Sequence, residues 1–307
     1  MVHFVHGLIE LGQIFKKGTS MPELPEVETV KRGLEPVMTG ARIIKVEQNR
    51  PNLRFPFPKN FVPRLEGKKV GALSRRAKYL LIPLDSGENL VMHLGMSGRV
   101  TIEKPDEVAV SDRPNPAHDH VVFHLSNGAT IRYNDPRRFG FMTLAGEDEL
   151  TTHKLFANLG PEPLGNSFHA THLANMAKSR KAPLKSFLLD QKTVAGLGNI
   201  YVCEALFRAH LSPTRPTMTL ARKNNKPTKA AELLTRSIKE VLSEAIEKGG
   251  STLRDHRLTD GTLGYFQHSF KVYGREGEPC RHPKCTGKIE RLAQAGRSTF
   301  HCLKCQK

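Results

Sequence analysis

The 307-residue sequence lacks any apolar run that approaches the ~20 residues of a membrane-spanning helix. Residues 5–15 are largely apolar, but basic residues follow this stretch instead of preceding it, and no small-residue cleavage site is present. The first 20 residues also lack arginine, which argues against a transit peptide. We therefore expect a protein of the cytosol that has no membrane partner.

Acidic residues are in deficit, because 30 aspartates and glutamates face 47 lysines and arginines, which gives a net charge of +17. The imbalance is also local, since the last 37 residues contain nine basic and three acidic side chains. Such an excess favours binding to a polyanion, and nucleic acid is the first candidate. The alternative from charge alone is a solvated basic surface.

Cysteine is scarce, and four of the five cysteines lie in the last 28 residues. Tetrahedral Zn²⁺ is held by ligands paired on two tight turns, and this spacing supplies them. Two disulfides are the competing interpretation, but the cytosol is reducing. We predict one closed, structural zinc site, whereas Cys203 is expected to be a small buried residue of a helix. The predicted ligands are Cys280, Cys285, Cys302 and Cys305.

The order of patterns along the chain predicts a multidomain α+β protein. A short helix is expected from Pro25 to about Gly33–Pro36, and β-like runs with turn residues between them fill 41–144, which suggests a β-sandwich. Residues 126–128 form a hairpin signal within it. The helical part begins near residue 151, and its clearest helix runs from about Thr228 to Lys248, with a second one capped by Asn199. No internal repeats are present.

These changes of pattern divide the chain into four segments. Residues 1–20 are an extension, 21–150 a β domain, 151–265 a helical domain and 266–307 a small metal domain.

The segment MPELPEVETV, Met21–Val30, resembles the amino terminus of the formamidopyrimidine-DNA glycosylases, which excise oxidised purines. The resemblance continues over 21–307 in five or six ordered motifs. It implies an N-terminal catalytic β-sandwich, a helix–two-turn–helix domain and a C-terminal zinc finger. The first knuckle departs from the family pattern, because it has four intervening residues instead of the commoner two.

The resemblance also implies roles for individual residues in catalysis. Pro22 is the nucleophile through its free nitrogen, Glu23 acts in general acid–base catalysis, and Glu26 positions the first helical turn. Lys78 is the donor for β-elimination. Arg297, between the two cysteine pairs, contacts phosphates and takes part in δ-elimination.

Other motifs match the family's DNA-binding segments. Met96 fills the hole left by the extruded base, Arg137 reads the orphaned cytosine and Phe139 wedges the base step. Residues 258–270, with Asp260 and Gly261, correspond to the loop over the damaged base. The residues matched to phosphate contacts are His118, Arg138, Lys181, Lys185 and Asn199.

The resemblance therefore implies a monomeric base-excision-repair enzyme that acts on double-stranded DNA with oxidised bases, as both a glycosylase and an AP lyase. Leu24 and Phe139 favour oxidised purines, because relatives of the endonuclease VIII type, which act on oxidised pyrimidines, lack this pattern. Twenty residues precede Met21, however, and a proline nitrogen inside a peptide bond cannot attack a sugar. A misassigned start codon, with Met21 then removed, is the favoured explanation. Two alternatives remain, namely a non-catalytic binder of damaged DNA that keeps residues 1–20 and a glycosylase for oxidised pyrimidines.

Overall fold

The computed structural model describes residues 21–105, 114–251, 259 and 264–307. The extension at 1–20 and the predicted loop residues Asp260 and Gly261 lie outside the described residues. The helices are α1 Leu24–Met38, α2 Phe61–Leu65, α3 Ala170–Ala177, α4 Leu184–Leu189, α5 Asn199–Arg208 and α6 Lys229–Glu247. The strands are β1 Ile43–Gln48, β2 Ser74–Arg76, β3 Tyr79–Pro83, β4 Glu88–His93, β5 Arg99–Glu103, β6 Asp119–Leu125, β7 Thr130–Asn134, β8 Phe141–Gly146, β9 Ile289–Gln294 and β10 Arg297–Cys302.

The first half of the chain folds into a sandwich of two antiparallel sheets. Their strand orders are β1-β6-β7-β5 and β2-β3-β4-β8, with four strands each. Alternating strand residues such as Leu80, Leu90 and Ile131 point into the shared core. The predicted β-sandwich is confirmed, and residues 126–128 form the hairpin between β6 and β7, as expected.

Helix α1 is longer than the sequence predicts, because it continues past Pro36 to Met38. The predicted end near Gly33–Pro36 is therefore wrong. Leu34 and Met38 are buried in the sandwich core on either side of the proline. Packing of this apolar face outweighs the loss of one helical hydrogen bond at Pro36.

The helical part has its own core, built around α5 and α6. The Thr228 hydroxyl accepts a hydrogen bond from the Ala231 amide at 3.4 Å and caps α6, which begins where the sequence predicts a helix start. Cys203 is buried in α5, also as expected, and burial raises the pKa of its thiol to about 11. The predicted cap at Asn199 is one residue late, since Gly198 is the cap and Asn199 is the first helical residue.

The C-terminal part is a β9–β10 hairpin joined to two cysteine-bearing turns. The buried Glu204 carboxylate connects this part to α5, because it accepts hydrogen bonds from the consecutive amides of 271, 272 and 273 at 2.9–3.2 Å. Among the described residues, no helix is long and apolar enough to cross a membrane.

Candidate active site

A cleft of about 640 Å³ lies where the sandwich, the α5 N-terminus and the β9–β10 hairpin meet. Pro22 is buried, and its two neighbours in the chain, Met21 and Glu23, both line the cleft. The predicted site residues that line the cleft come from distant parts of the chain, and they are Glu23, Lys78, Met96, Asn199 and Arg297.

The Glu23 carboxylate, only 2% exposed, faces the N-terminus of α5. Its Oε1 accepts a hydrogen bond from the Ile200 amide at 2.9 Å, and the Tyr201 amide lies 3.5 Å from Oε2. Burial raises the pKa of Glu23 to about 7, although Lys78 and the two amides act against this shift. Glu23 can therefore both give and take a proton near neutral pH.

Gly198 makes room for this carboxylate. A Cβ atom added at Gly198 would lie 2.2 Å from the carboxyl carbon of Glu23, which is closer than real Cβ contacts. A glycine at the cap of α5 thus lets the helix N-terminus approach the acid directly.

Glu26 fixes the turn that carries Glu23. Its Oε2 accepts from the Glu23 amide at 2.9 Å, while its Oε1 accepts from the Tyr201 hydroxyl at 2.5 Å and from the Ser251 amide at 2.8 Å. The start of α1 is therefore locked onto the helical part, which agrees with the positioning role that the sequence suggests for Glu26.

Lys78 is held at the tight turn between β2 and β3, where Ala77 has a positive φ of 54°. Glu162 Oε1 accepts from the Ala77 amide at 2.6 Å and from Arg76 at 2.9 Å. Burial lowers the pKa of Lys78, the Glu23 carboxylate opposes that shift, and the Arg297 guanidinium adds to it. Glu162 thus positions the lysine from the segment between β8 and α3, and no sequence pattern indicated this role.

The cleft is also lined by residues to which the sequence assigned no role, among them Arg54, His93 and Tyr273. His93 Nδ1 accepts from the Gly95 amide at 3.0 Å, and its ring stacks on Phe141 at 5.3 Å. Burial lowers the pKa of His93 to about 4, and the charges of Lys78 and Arg54 add to this, so the ring is neutral at pH 7. A single histidine in a strand gives no sequence signal for such a position.

Arg137, Arg138 and Phe139 are exposed together between β7 and β8. The Arg137 guanidinium lies 5.0 Å from the centroid of the Phe139 ring, whose residue is 43% exposed. Met96 is half-buried in the adjacent loop between β4 and β5. These four predicted DNA-contacting residues therefore come from two neighbouring loops.

Arg297 follows a two-residue turn in which Ala295 and Gly296 have φ values of 51° and 71°. The next residue, Ser298, is anchored, because its carbonyl accepts from Asn199 Nδ2 at 3.0 Å and from Lys185 Nζ at 3.1 Å. These bonds hold Arg297 over the cleft.

Lys185 itself is 0% exposed, and its ammonium also donates to the Thr299 hydroxyl at 2.6 Å. The sequence prediction of a phosphate contact for Lys185 is therefore corrected, since the side chain is enclosed in protein. Among the other predicted phosphate contacts, Lys181 is exposed and His118 is partly buried in the turn before β6.

The four C-terminal cysteines form one cluster, with their sulfur atoms all within 4.8 Å of one another. Two Sγ–Sγ distances are 3.7 Å, far from a disulfide bond length. A tetrahedral site with Zn–S bonds of about 2.3 Å requires sulfur separations of about 3.8 Å. The amides of His282 and Gly287 each donate to a sulfur at 3.4 Å. The donor set therefore fits a four-thiolate metal site and not two disulfides.

Two family models match the sequence, "Formamidopyrimidine-DNA glycosylase N-terminal domain" over residues 21–142 and "Formamidopyrimidine-DNA glycosylase H2TH domain" over 159–257. A formamidopyrimidine-DNA glycosylase of Beijerinckia indica subsp. indica is 61% identical, with 94% of this chain and 100% of the relative aligned. The Lactococcus lactis Fpg, solved with DNA that contains an abasic site, superposes with a TM-score of 0.80 at 33% identity. A mutant of the same Lactococcus lactis protein, solved with DNA that contains Fapy-dG, has a TM-score of 0.80 at 34% identity. Each of these two structural comparisons covers 93% of this chain and 100% of the other.

Proposed function

Because the chain belongs to the formamidopyrimidine-DNA glycosylase family, we propose that it removes oxidised purines from double-stranded DNA and then cuts the strand as an AP lyase. The substrates are 8-oxoguanine and formamidopyrimidines. The observation that carries the proposal is the cleft that brings Glu23, Lys78 and Arg297 together beside Pro22. Base excision followed by two eliminations needs a nucleophile, an acid–base group and cations for the phosphates.

In the proposed reaction, the Pro22 nitrogen bonds to C1′ of the sugar while the bond from C1′ to the base breaks. The Pro22 nitrogen loses its proton, and the departing base takes one up. Opening of the sugar ring then protonates O4′ and leaves a positively charged iminium ion between Pro22 and C1′. Loss of a C2′ proton then expels the 3′ phosphate, and a second elimination expels the 5′ phosphate. Glu23 transfers protons, Lys78 assists the first elimination and Arg297 the second.

This chemistry requires a free Pro22 nitrogen. With Met21 attached, that nitrogen is an amide, and Met21 itself lines the cleft next to Glu23 and Lys78. Removal of everything before Pro22 turns the amide into a secondary amine with a pKa near ~8, which is partly unprotonated at neutral pH. The active form is therefore the chain that starts at Pro22.

The DNA partner follows from charge and from the exposed loops. A net charge of +17 favours a polyanion. Phe139, with 43% of its surface exposed, can wedge a base step while Arg137 and Met96 occupy the void. The phosphate contacts in this proposal are made by Arg138, His118, Lys181 and Asn199. The activity belongs to the bacterial cytosol, with one chain acting alone.

The metal that the four cysteines hold is proposed to be one zinc ion, because four sulfur donors at tetrahedral spacing suit Zn²⁺. A site with four protein ligands leaves no position for water. The zinc therefore stabilises the finger and takes no part in the reaction.

Borohydride trapping tests this proposal. The chain that starts at Pro22 should form a covalent adduct with a duplex that contains 8-oxoguanine, whereas the chain that retains residues 1–21 should bind the duplex without trapping. Pro22→Gly serves as the control, because it keeps a terminal amine but makes it primary instead of secondary. Its trapping should be strongly reduced. An adduct with a duplex that contains thymine glycol, but not with the 8-oxoguanine duplex, would show that the substrates are oxidised pyrimidines. The absence of an adduct with either duplex would show that the protein binds damaged DNA without acting on it.

A further inference from the structure

One buried hydroxyl joins the two loops that face the DNA in the proposed function. The void loop, residues 94–98, carries Met96, and the reading loop, residues 135–140, carries Arg137. Ser97 Oγ donates to Asp135 Oδ1 at 2.5 Å and accepts from the Arg137 amide at 3.2 Å. Ser97 is 3% exposed, so solvent does not compete for these bonds.

The Asp135 carboxylate, 0% exposed, closes the reading loop on itself. Its Oδ2 accepts from the Gly140 amide at 2.8 Å, at the far end of the loop, and lies 3.3 Å from the Tyr133 hydroxyl. The Asp135 carbonyl accepts from the Arg138 amide at 3.2 Å. A buried carboxylate with several donors is strongly tied to one geometry.

The backbones of the two loops are also in direct contact. A Cβ atom added at Gly95 would lie 2.2 Å from the Gly140 nitrogen, and one added at Gly140 would lie 1.7 Å from the Tyr133 hydroxyl. No room therefore remains for one loop to slide past the other. The bases of the loops are packed, while the tips with Phe139 and Arg137 are exposed.

We propose that Ser97 and Asp135 are specificity-determining positioning residues, which hold the void-filling Met96 and the cytosine-reading Arg137 in one fixed arrangement. The inference rests on the proposed function and deepens it. An arginine whose backbone is already held in the binding geometry loses little conformational entropy when it enters the duplex. Its contact with the opposite base then contributes more fully to the preference for cytosine over adenine. A reading loop that lacks these hydrogen bonds should discriminate less between cytosine and adenine opposite the lesion.

The test is the ratio of the excision rates for 8-oxoguanine opposite cytosine and opposite adenine, measured with the chain that starts at Pro22. We expect Ser97→Ala to lower this ratio by about tenfold, since it removes a hydrogen bond to a charged acceptor. Asp135→Asn should lower it as well, because the amide replaces one of the two acceptor oxygens, which face the Ser97 hydroxyl and the Gly140 amide, by a donor. The ratio does not depend on the fraction of folded protein, so a general loss of stability leaves it unchanged.

Ser237→Ala is the matched control, because Ser237 is a buried serine of α6 whose hydroxyl has no hydrogen-bond partner among the residues that the structure describes. It should keep the wild-type ratio. A wild-type ratio in both Ser97→Ala and Asp135→Asn overturns the inference, as does a wild-type enzyme that excises without any preference. A wild-type enzyme that excises no oxidised purine overturns the proposed function instead.

Discussion

Among single residues, Glu23 shows how the site gains reactivity at the expense of stability. Its pKa rises from 4.5 to about 7 on burial, so the folded state holds the proton more tightly than the unfolded state does. The stability from this group is thus complete below pH 4.5 and is lost as the pH rises through 7. The loss is at most about 3 kcal/mol.

We therefore predict that Glu23→Gln is more stable than the wild type at pH 8, by about 1–3 kcal/mol. The advantage should vanish below pH 4.5, because the wild-type carboxyl is then neutral like the amide. Urea unfolding of the full 307-residue chain across this pH range measures the difference. Glu47→Gln is the control, since Lys45 and His124 lower the pKa of Glu47 and its loss should not stabilise the protein at pH 8. An equally unstable Glu23→Gln at pH 8 would contradict the raised pKa.

At the scale of elements, the β9–β10 hairpin depends on α4, because Lys185 is the α4 residue that bonds to Ser298 and Thr299. We predict that Lys185→Met reduces the second elimination several-fold relative to the first, since Arg297 loses its support. The measurement is the share of cleaved DNA that carries a 3′ phosphate instead of the sugar remnant. An unchanged share would show that the hairpin stays in place without Lys185.

Lys181→Met supplies the contrasting control. Lys181 is exposed, so its loss should lower the slope of binding affinity against salt concentration by about one unit. Lys185→Met should leave this slope unchanged when both proteins compared also carry Arg297→Ala, because a buried ammonium bonded to protein releases no counterions from DNA and the phosphate contact of Arg297 is then absent from both. A lowered slope in that comparison would restore the phosphate contact that the sequence suggested for Lys185.

The elements differ in how far the sequence predicts them. Helix α6 and the β6–β7 hairpin follow from local patterns, namely apolar residues at helical spacing and a turn signal between two β-like runs. The end of α1 does not, because packing around Leu34 and Met38 outweighs the local effect of Pro36. Contacts between distant segments leave no pattern at all, and this is why Glu162 and the burial of Lys185 emerge only from the fold.

At the scale of the whole molecule, we expect the C-terminal finger, residues 271–307, to depend on its metal for stability. Its apolar core is small, with Val272, Ile289 and Phe300 packed against Phe207 of α5. We predict that removal of the metal unfolds residues 271–307 while the other two cores remain, because bound zinc supplies most of the folding free energy of such a unit. Hydrogen exchange would show the loss of protection in β9 and β10 alone.

The second elimination should disappear with the metal, since Arg297 is then no longer held over the cleft, while the first elimination remains. Cys285→Ala should behave like the metal-free protein, whereas Cys203→Ala, outside the cluster, should keep both the metal and the second elimination. Protection of β9 and β10 that survives chelation would contradict this dependence on the metal.

The contact between Gly198 and Glu23 has a consequence for the whole molecule. The acid belongs to the sandwich, while the glycine and the amides that receive it belong to the helical part. If the two parts moved away from each other, water would reach the carboxyl and its pKa would return to that of an ordinary glutamate. The ability of Glu23 to transfer a proton near neutral pH is therefore a property of the assembled molecule and of neither part alone.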